Sequence, residues 1–312
     1  MSVELSIIIP GINEFPQNFF TVQSLWSELR DEVDFEILYI DNYCPEFAKQ
    51  GKQQDRGYER LKSISERNKF LKVFKYEDKL SHWNAKNIGI KNASADILFF
   101  LDAHCIVSKN SLVNMFNFYK ANHEELNGTL HLPLSYMLER PGLDLIYKLV
   151  ADIEKGVVHY SFTRYKEDTK PYKVPCMSTC GMMITKDLLV NEMGMWPSEL
   201  GIYGGGENFI NFTLAVLGKD INIFPTNPLF HYAEKRAYHW NHSDYMRNRL
   251  IASYIHSGKD FAKITVSNMR GNPTVKNQIF ESIIYNESLR SQKKLIEQQT
   301  KISISEFVDR WK

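Results

Sequence analysis

Two hydrophobic rhythms alternate along the first third of the chain. Apolar runs at Leu5–Pro10 (LSIIIP), Glu36–Asp41 (EILYID), Lys72–Tyr76 and Asp96–Asp102 predict strands, most of them covered on both sides. Between them Val22, Leu25, Trp26 and Leu29 recur at helical spacing, which predicts a helix over Asn18–Arg30, and two more follow at Asp55–Asn68 and Asn84–Lys91. Such alternation predicts an α/β fold with right-handed crossovers and a mostly parallel sheet flanked by helices. Sheets of this kind bind ligands beyond the carboxyl ends of their strands, where Pro10, Gly11, Asp41 and Asp102 fall.

Past Ser108 the rhythm loosens. The pattern predicts a helix at Lys109–His123, a strand at Leu130–Leu138, an irregular polar and aromatic loop at Lys155–Lys173, a short strand at Cys180–Thr185 and a turn of helix at Lys186–Glu192. Gly204–Gly206 then open a helix, and from Ser243 onward the chain reads as helical and charged, with a helical tail over 273–312.

Composition changes this picture little. The 312 residues can bury a large core, and a formal net charge of +1 gives no whole-molecule field toward nucleic acid or membrane, though a local basic groove is compatible with it. No window reaches the roughly 18 apolar residues of a membrane span, and MSVELSIIIP lacks the basic start and long apolar stretch of a signal peptide. The expectation is therefore a cytoplasmic protein with no membrane partner. Cys176 and Cys180 are spaced like metal ligands, but no second pair accompanies them. With Cys44 and Cys105 they read as reduced thiols.

The chemistry concentrates in ILFFLDAHCIVS, Ile97–Ser108. Side chains two apart in extended chain share a face, so Asp102 and His104 can aim at one point. One hard oxygen and one imidazole nitrogen suit a divalent ion that draws its remaining ligands from substrate phosphates and water, and the histidine favours manganese over magnesium. His242 pairs with His239 in HWNH without further partners, and Trp83 and Trp240 read as packing residues.

Five segments, taken in order, resemble the GT-A glycosyltransferases of the family-2 type, closest to the retaining polypeptide N-acetylgalactosaminyltransferase branch. They are SIIIPGINEFPQNFFTVQSLW, EILYIDNYCPE, WNAKNIGIKNASADILFFLDAHC, CGMMITKDLLVNEMGMWPSELGIYGGGENFINFTLAVLGKDI and PLFHYAEKR, within residues 3–240. The resemblance implies that Asp102, His104 and His231 hold Mn2+ (or Mg2+). It also implies that Asp41 contacts the base or ribose of a UDP-sugar, with Pro10, Asn13, Glu14 and Lys86 lining the nucleotide pocket. Gly205, Gly206, Glu207 and Asn208 would face the donor sugar. It further implies a GT-A domain over 1–250, divided into a nucleotide-binding half (1–104) and a donor-sugar and acceptor half (105–250), followed by a C-terminal helical extension over 251–312.

The branch carries a tryptophan where Tyr203 stands, an acid where Ile106 stands, and a phenylalanine–arginine run after the histidine where this chain has Tyr232–Ala233. Inverting relatives place a carboxylate base in the slot of Asn208, and an amide takes no proton at neutral pH, so the reading expects retention. It expects Glu207 to position hydroxyls. The acceptor reading leans to a hydroxymethylated base in viral DNA, with protein Ser/Thr hydroxyls or saccharides as alternatives and a non-catalytic nucleotide-sugar binder as the rival class. Basic stretches at Lys49–Arg60, Met269–Lys276 and Arg290–Lys294 are the candidate phosphate contacts.

Overall fold

The computed structural model describes residues 2–51, 56–136, 143–232 and 240–312. Its strands in chain order are β1 (Leu5–Gly11), β2 (Phe35–Asp41), β3 (Leu71–Lys75), β4 (Ile97–Phe100), β5 (Cys105–Ile106), β6 (Gly128–His131), β7 (Leu134–Ser135), β8 (Asp144–Asp152), β9 (Val157–Arg164), β10 (Tyr172–Val174), β11 (Met182–Thr185), β12 (Asp220–Ile223) and β13 (Leu229–His231). The helices are α1 (Gln17–Leu29), α2 (Pro45–Lys49), α3 (Arg56–Ser65), α4 (His82–Asn92), α5 (Ser111–Leu126), α6 (Gly206–Val216), α7 (His242–Asn268), α8 (Pro273–Ile284), α9 (Glu287–Glu297) and α10 (Ile304–Arg310).

The larger sheet has eight strands in the order β10-β12-β6-β11-β4-β1-β2-β3. Its β3-β2-β1-β4 half is parallel, as the apolar runs predict, and every residue of β1 is buried. Helix α4 crosses this half so closely that a Cβ on Gly89 would lie 2.5 Å from Ile8, so only glycine admits the approach. On the other side β11 runs antiparallel to both β4 and β6. The register sets Gly11 level with Asp41, so the carboxyl ends of β1 and β2 form one edge, and Asp102 follows β4 by two residues.

A second sheet of five strands, β5-β13-β7-β8-β9, is absent from the sequence reading. The expected strand over Leu130–Leu138 divides at Pro133: β6 joins the large sheet and β7 the small one, while Met137 and Leu138 lie outside the described residues. Proline has no N–H to continue a ladder, so the chain changes partners there. The loop expected over Lys155–Lys173 is corrected. Val157–Arg164 is a strand paired along its length with Asp144–Asp152, and Tyr172–Val174 is a further strand. Both members of that hairpin are half-buried on both faces, which blurs the alternation that marks a one-sided strand.

The C-terminal helices follow the pattern. Helix α7 packs on α6 through its first half, passes residue 250 with Leu250, Ile251 and Ala252 fully buried, and is interrupted at Gly258, whose φ is 81°. Helices α8 and α9 pack on α7, and α10 packs on α6. Asn272, Asn286 and Ser303 cap the last three helices with their side chains, Ser303 and Glu306 reciprocally. Among the described residues no helix is long and apolar enough to cross a membrane.

Candidate active site

The two sheets meet where β4 ends. The chain leaves Phe100, passes Asp102 and His104, and re-enters structure as β5, which pairs antiparallel with β13 so that Cys105 stands opposite His231. One further backbone bond, Tyr232 N–H to the His104 carbonyl at 3.0 Å, tightens the pairing. Residues 127 positions apart are thereby set side by side, the His104 and His231 rings edge to face at 4.8 Å.

The ligand atoms of Asp102, His104 and His231 all lie within 4.8 Å of one another. His231 Nε2 is 3.2 Å from Asp102 Oδ2, close to the roughly 3 Å that separates neighbouring ligands of an octahedral ion at about 2.1 Å. His104 Nδ1 is 3.0 Å from Glu14 Oε2, which leaves Nε2 as its other ring nitrogen. Burial alone would raise the Asp102 pKa. The hydrogen bond from His231 and the charges of His82, Lys86 and His104 more than offset this and hold the carboxyl well below its usual range. An anionic oxygen with two imidazoles fits a divalent cation. A second cluster, Cys105, Cys180 and His231, fits one poorly: burial and the Cys180 thiol at 3.5 Å push the Cys105 thiol well up, so it stays protonated.

The three glycines at the start of α6, Gly204 to Gly206, are enforced by neighbours. Gly205 has φ +77° and a Cβ there would lie 2.2 Å from the Asn248 carbonyl oxygen, while one on Gly206 would lie 2.1 Å from the Trp83 ring. The indole of Trp196 donates to the Gly206 carbonyl at 3.1 Å. This brings the positive end of α6 to the floor of a cavity of about 670 Å3 whose lining includes Asp102, His104, His231, Gly205, Glu207 and Asn208. The Asn208 amide donates to the Val158 carbonyl at 3.3 Å and so ties α6 to the hairpin.

The residues assigned to the nucleotide lie apart from that lining. Pro10 is within β1, Asn13 follows it with φ 57°, and buried Asp41 ends β2. Glu14, expected on the pocket wall, has its carboxylate against His104. Lys86 is fully buried, donates to Thr179 Oγ1 at 2.7 Å and is boxed by the rings of Trp83, Phe100 and Trp196 at 4.9–5.7 Å. Burial lowers its pKa, and Asp102 and Glu207 oppose that shift. The sequence reading missed Tyr147, Tyr160 and Phe162, which the hairpin presents to the cavity, and Arg249 from α7. Alternating aromatics in LIYKL and VHYSF were the available signal. Trp83 is buried as expected, but Trp240 is 42% exposed. Ala233–Arg236 and His239 lie outside the described residues.

A mixed sheet of this order, with an acid–histidine cluster at its carboxyl ends and a glycine-opened helix beside it, defines a GT-A fold. Residues 6–191 match the family described as Glycosyl transferase family 2, and the chain belongs to that family. N-acetylgalactosaminyltransferase 6 of Drosophila melanogaster is 24% identical over 238 residues, covering 73% of this chain and 34% of its own length. Poly(ribitol-phosphate) beta-N-acetylglucosaminyltransferase TarP of Staphylococcus aureus (strain N315) is 29% identical over 126 residues, 39% of this chain and 35% of its own. The chain thus spans about a third of the length of these curated relatives. Among solved structures, GalNAc-T7 with UDP, GalNAc and Mn2+ superposes with a TM-score of 0.75 at 18% identity, over 99% of this chain and 57% of that one. S. aureus TarS 1-349 in complex with UDP-GlcNAc gives 0.54 at 13%, over 99% and 82%.

Proposed function

We propose that the chain moves a sugar from a UDP-sugar to a hydroxyl acceptor with retention of configuration, using Mn2+ (or Mg2+) held by Asp102, His104 and His231. The observation that carries this reading is the convergence of three ligand atoms in the same cavity as the glycine-opened start of α6. When bound, the ion acts as a Lewis acid on the leaving diphosphate, a contribution of several kcal/mol. Helix α6 directs its N–H groups at the donor, and Glu207 on the cavity wall orients sugar or acceptor hydroxyls. Asn208 is engaged with Val158 and accepts no proton. The acceptor oxygen bonds the anomeric carbon from the leaving-group face. The carbon–oxygen bond to the diphosphate breaks with its electron pair on UDP, and the hydroxyl proton passes to a phosphate oxygen. Asp41, Asn13 and Pro10 at the shared edge of β1 and β2 belong in this reading to the nucleoside.

The acceptor is best read as a saccharide or protein hydroxyl. Of the basic residues in the segments considered as phosphate contacts, Lys276 donates to the Ser267 and Met269 carbonyls, Arg290 to the Ile284 carbonyl, and Lys293 pairs with Glu297, which favours the saccharide or protein reading over DNA. Incubation with UDP-glucose, UDP-galactose and their N-acetylhexosamine counterparts, with manganese, is expected to release UDP, with EDTA abolishing release. Proton NMR of the product is expected to show an α-linkage. A β-linkage would sink retention, formation of UTP and sugar 1-phosphate when pyrophosphate is added would indicate a nucleotidyltransferase, and UDP binding without release would indicate a binding protein.

Glu14 enters as a positioning residue. Its carboxylate fixes the ring and tautomer of His104, so Glu14→Gln is expected to weaken manganese affinity by about 10- to 100-fold, measured by calorimetric titration. Unchanged affinity would remove Glu14 from the site.

A further inference from the structure

A second hollow, of about 760 Å3, opens beside the donor cavity, and Ile202 lines both. Its described walls come from the loop before α4, the loop 198–202 and the start of α7, with no strand among the described residues. Between the two hollows stands an aromatic partition. Tyr203 and Tyr245 face the donor cavity and stack at 5.7 Å, and Trp240, a 42% exposed residue that lines the second hollow, leans on them at 4.9 and 5.7 Å. Around Trp240 are two cations, Lys79 and Arg247, and two carboxylates, Glu199 and Asp244, all half-buried. Lys79 spends one donor on the Ser198 carbonyl and Arg247 one nitrogen on the Glu199 carbonyl, so both groups are held in place with further N–H donors remaining.

We infer that this hollow binds a neutral sugar unit of the acceptor, stacked on Trp240 and hydrogen-bonded by Lys79, Glu199, Asp244 and Arg247. An exposed indole takes the C–H face of a pyranose ring, while planar carboxylate and guanidinium groups pair with vicinal hydroxyls. Charge speaks against a phosphodiester: among the described residues of the hollow two cations balance two carboxylates, leaving no surplus to draw a polyanion. Geometry speaks against an extended peptide, because no strand edge is offered for main-chain pairing among the described residues of the hollow. The volume is that of a small-ligand cleft. A ring stacked there is separated from the donor cavity by the Trp240, Tyr203 and Tyr245 layer, so the reacting hydroxyl belongs to a neighbouring unit of the acceptor.

The inference rests on the donor-cavity reading above, and the two are separable by experiment. Saturation-transfer NMR on the whole chain uses methyl glycosides of glucose, galactose, N-acetylglucosamine and N-acetylgalactosamine, a threonine-containing peptide and an oligothymidylate. Manganese-dependent UDP binding is measured in parallel. Expected is transfer to at least one glycoside, strongest on its axial C–H protons. Its affinity should fall at least about tenfold in Trp240→Ala and be unchanged in Trp311→Ala, an exposed tryptophan at the far end of the chain. Thermal melting checks that Trp240→Ala is folded, and Arg247→Gln gives an independent loss if it is not. No glycoside binding, binding indifferent to both Trp240 and Arg247, or Trp240-dependent binding of the peptide or the oligonucleotide instead, overturns the subsite. Absent UDP binding with intact glycoside binding overturns only the donor reading.

Discussion

Asp102→Asn is expected to lower manganese-dependent UDP release by roughly a thousandfold while leaving the fold intact. The reasoning starts from charge. Asp102 contributes the one anionic oxygen of the cluster, with both histidines, His82 and Lys86 arranged about it. An amide of the same shape removes the negative charge, keeps the volume, and still accepts from His231. An ion held there would lose its hardest ligand, and with it the positive charge it would offer a leaving diphosphate. Apo stability should fall at neutral pH, because the interactions that depress the Asp102 pKa are lost and buried Lys86 loses an anion beside it, and melting of the metal-free protein checks that the variant is still folded. Activity within about threefold of the parent protein would mean that the acid–histidine cluster does not carry the chemistry.

Gly205→Ala is expected to destabilise the chain by roughly 2–4 kcal/mol, combining left-handed strain with overpacking. The clash is with main chain, the Asn248 carbonyl oxygen, and α7 cannot rotate away as a side chain would. Gly51→Ala isolates the two terms. Gly51 also has positive φ, +68°, but a Cβ there meets nothing within 4 Å, so only strain of roughly 1–2 kcal/mol is expected. Calorimetric melting of both variants gives the comparison. Gly205→Ala should additionally depress UDP release, because the start of α6 carries Glu207 and Asn208. Equal losses for the two glycines would show that the close approach at Gly205 relaxes.

The parallel half of the large sheet was legible because burial on both faces leaves an unmistakable run of apolar residues. Asp102 and His104 were legible for a local reason, their spacing of two. His231 was not legible from periodicity or spacing: it joins them through strand pairing across 127 positions, and only resemblance to a family suggested it. The β8–β9 hairpin escaped because its aromatic residues face a cavity, so its pattern follows ligand space as much as core. Glu14 shows a different limit. Resemblance to a family suggested the nucleotide pocket for it, and only the folded arrangement brings its carboxylate to His104. Trp240 read as a packing residue, since nothing in a sequence tells an indole that closes a core from one that forms a wall between two hollows.

The β5–β13 pairing has one more implication. Main-chain bonds, through Cys105 opposite His231 and Tyr232 N–H on the His104 carbonyl, fix how far apart the two imidazoles stand. Their spacing is thus largely independent of the bulk of Ile106 or Phe230, which the same ladder pairs. Backbone pairing alone brings the two histidines to the end of β4, so a cation held by Asp102, His104 and His231 would bind without rearrangement of these strands.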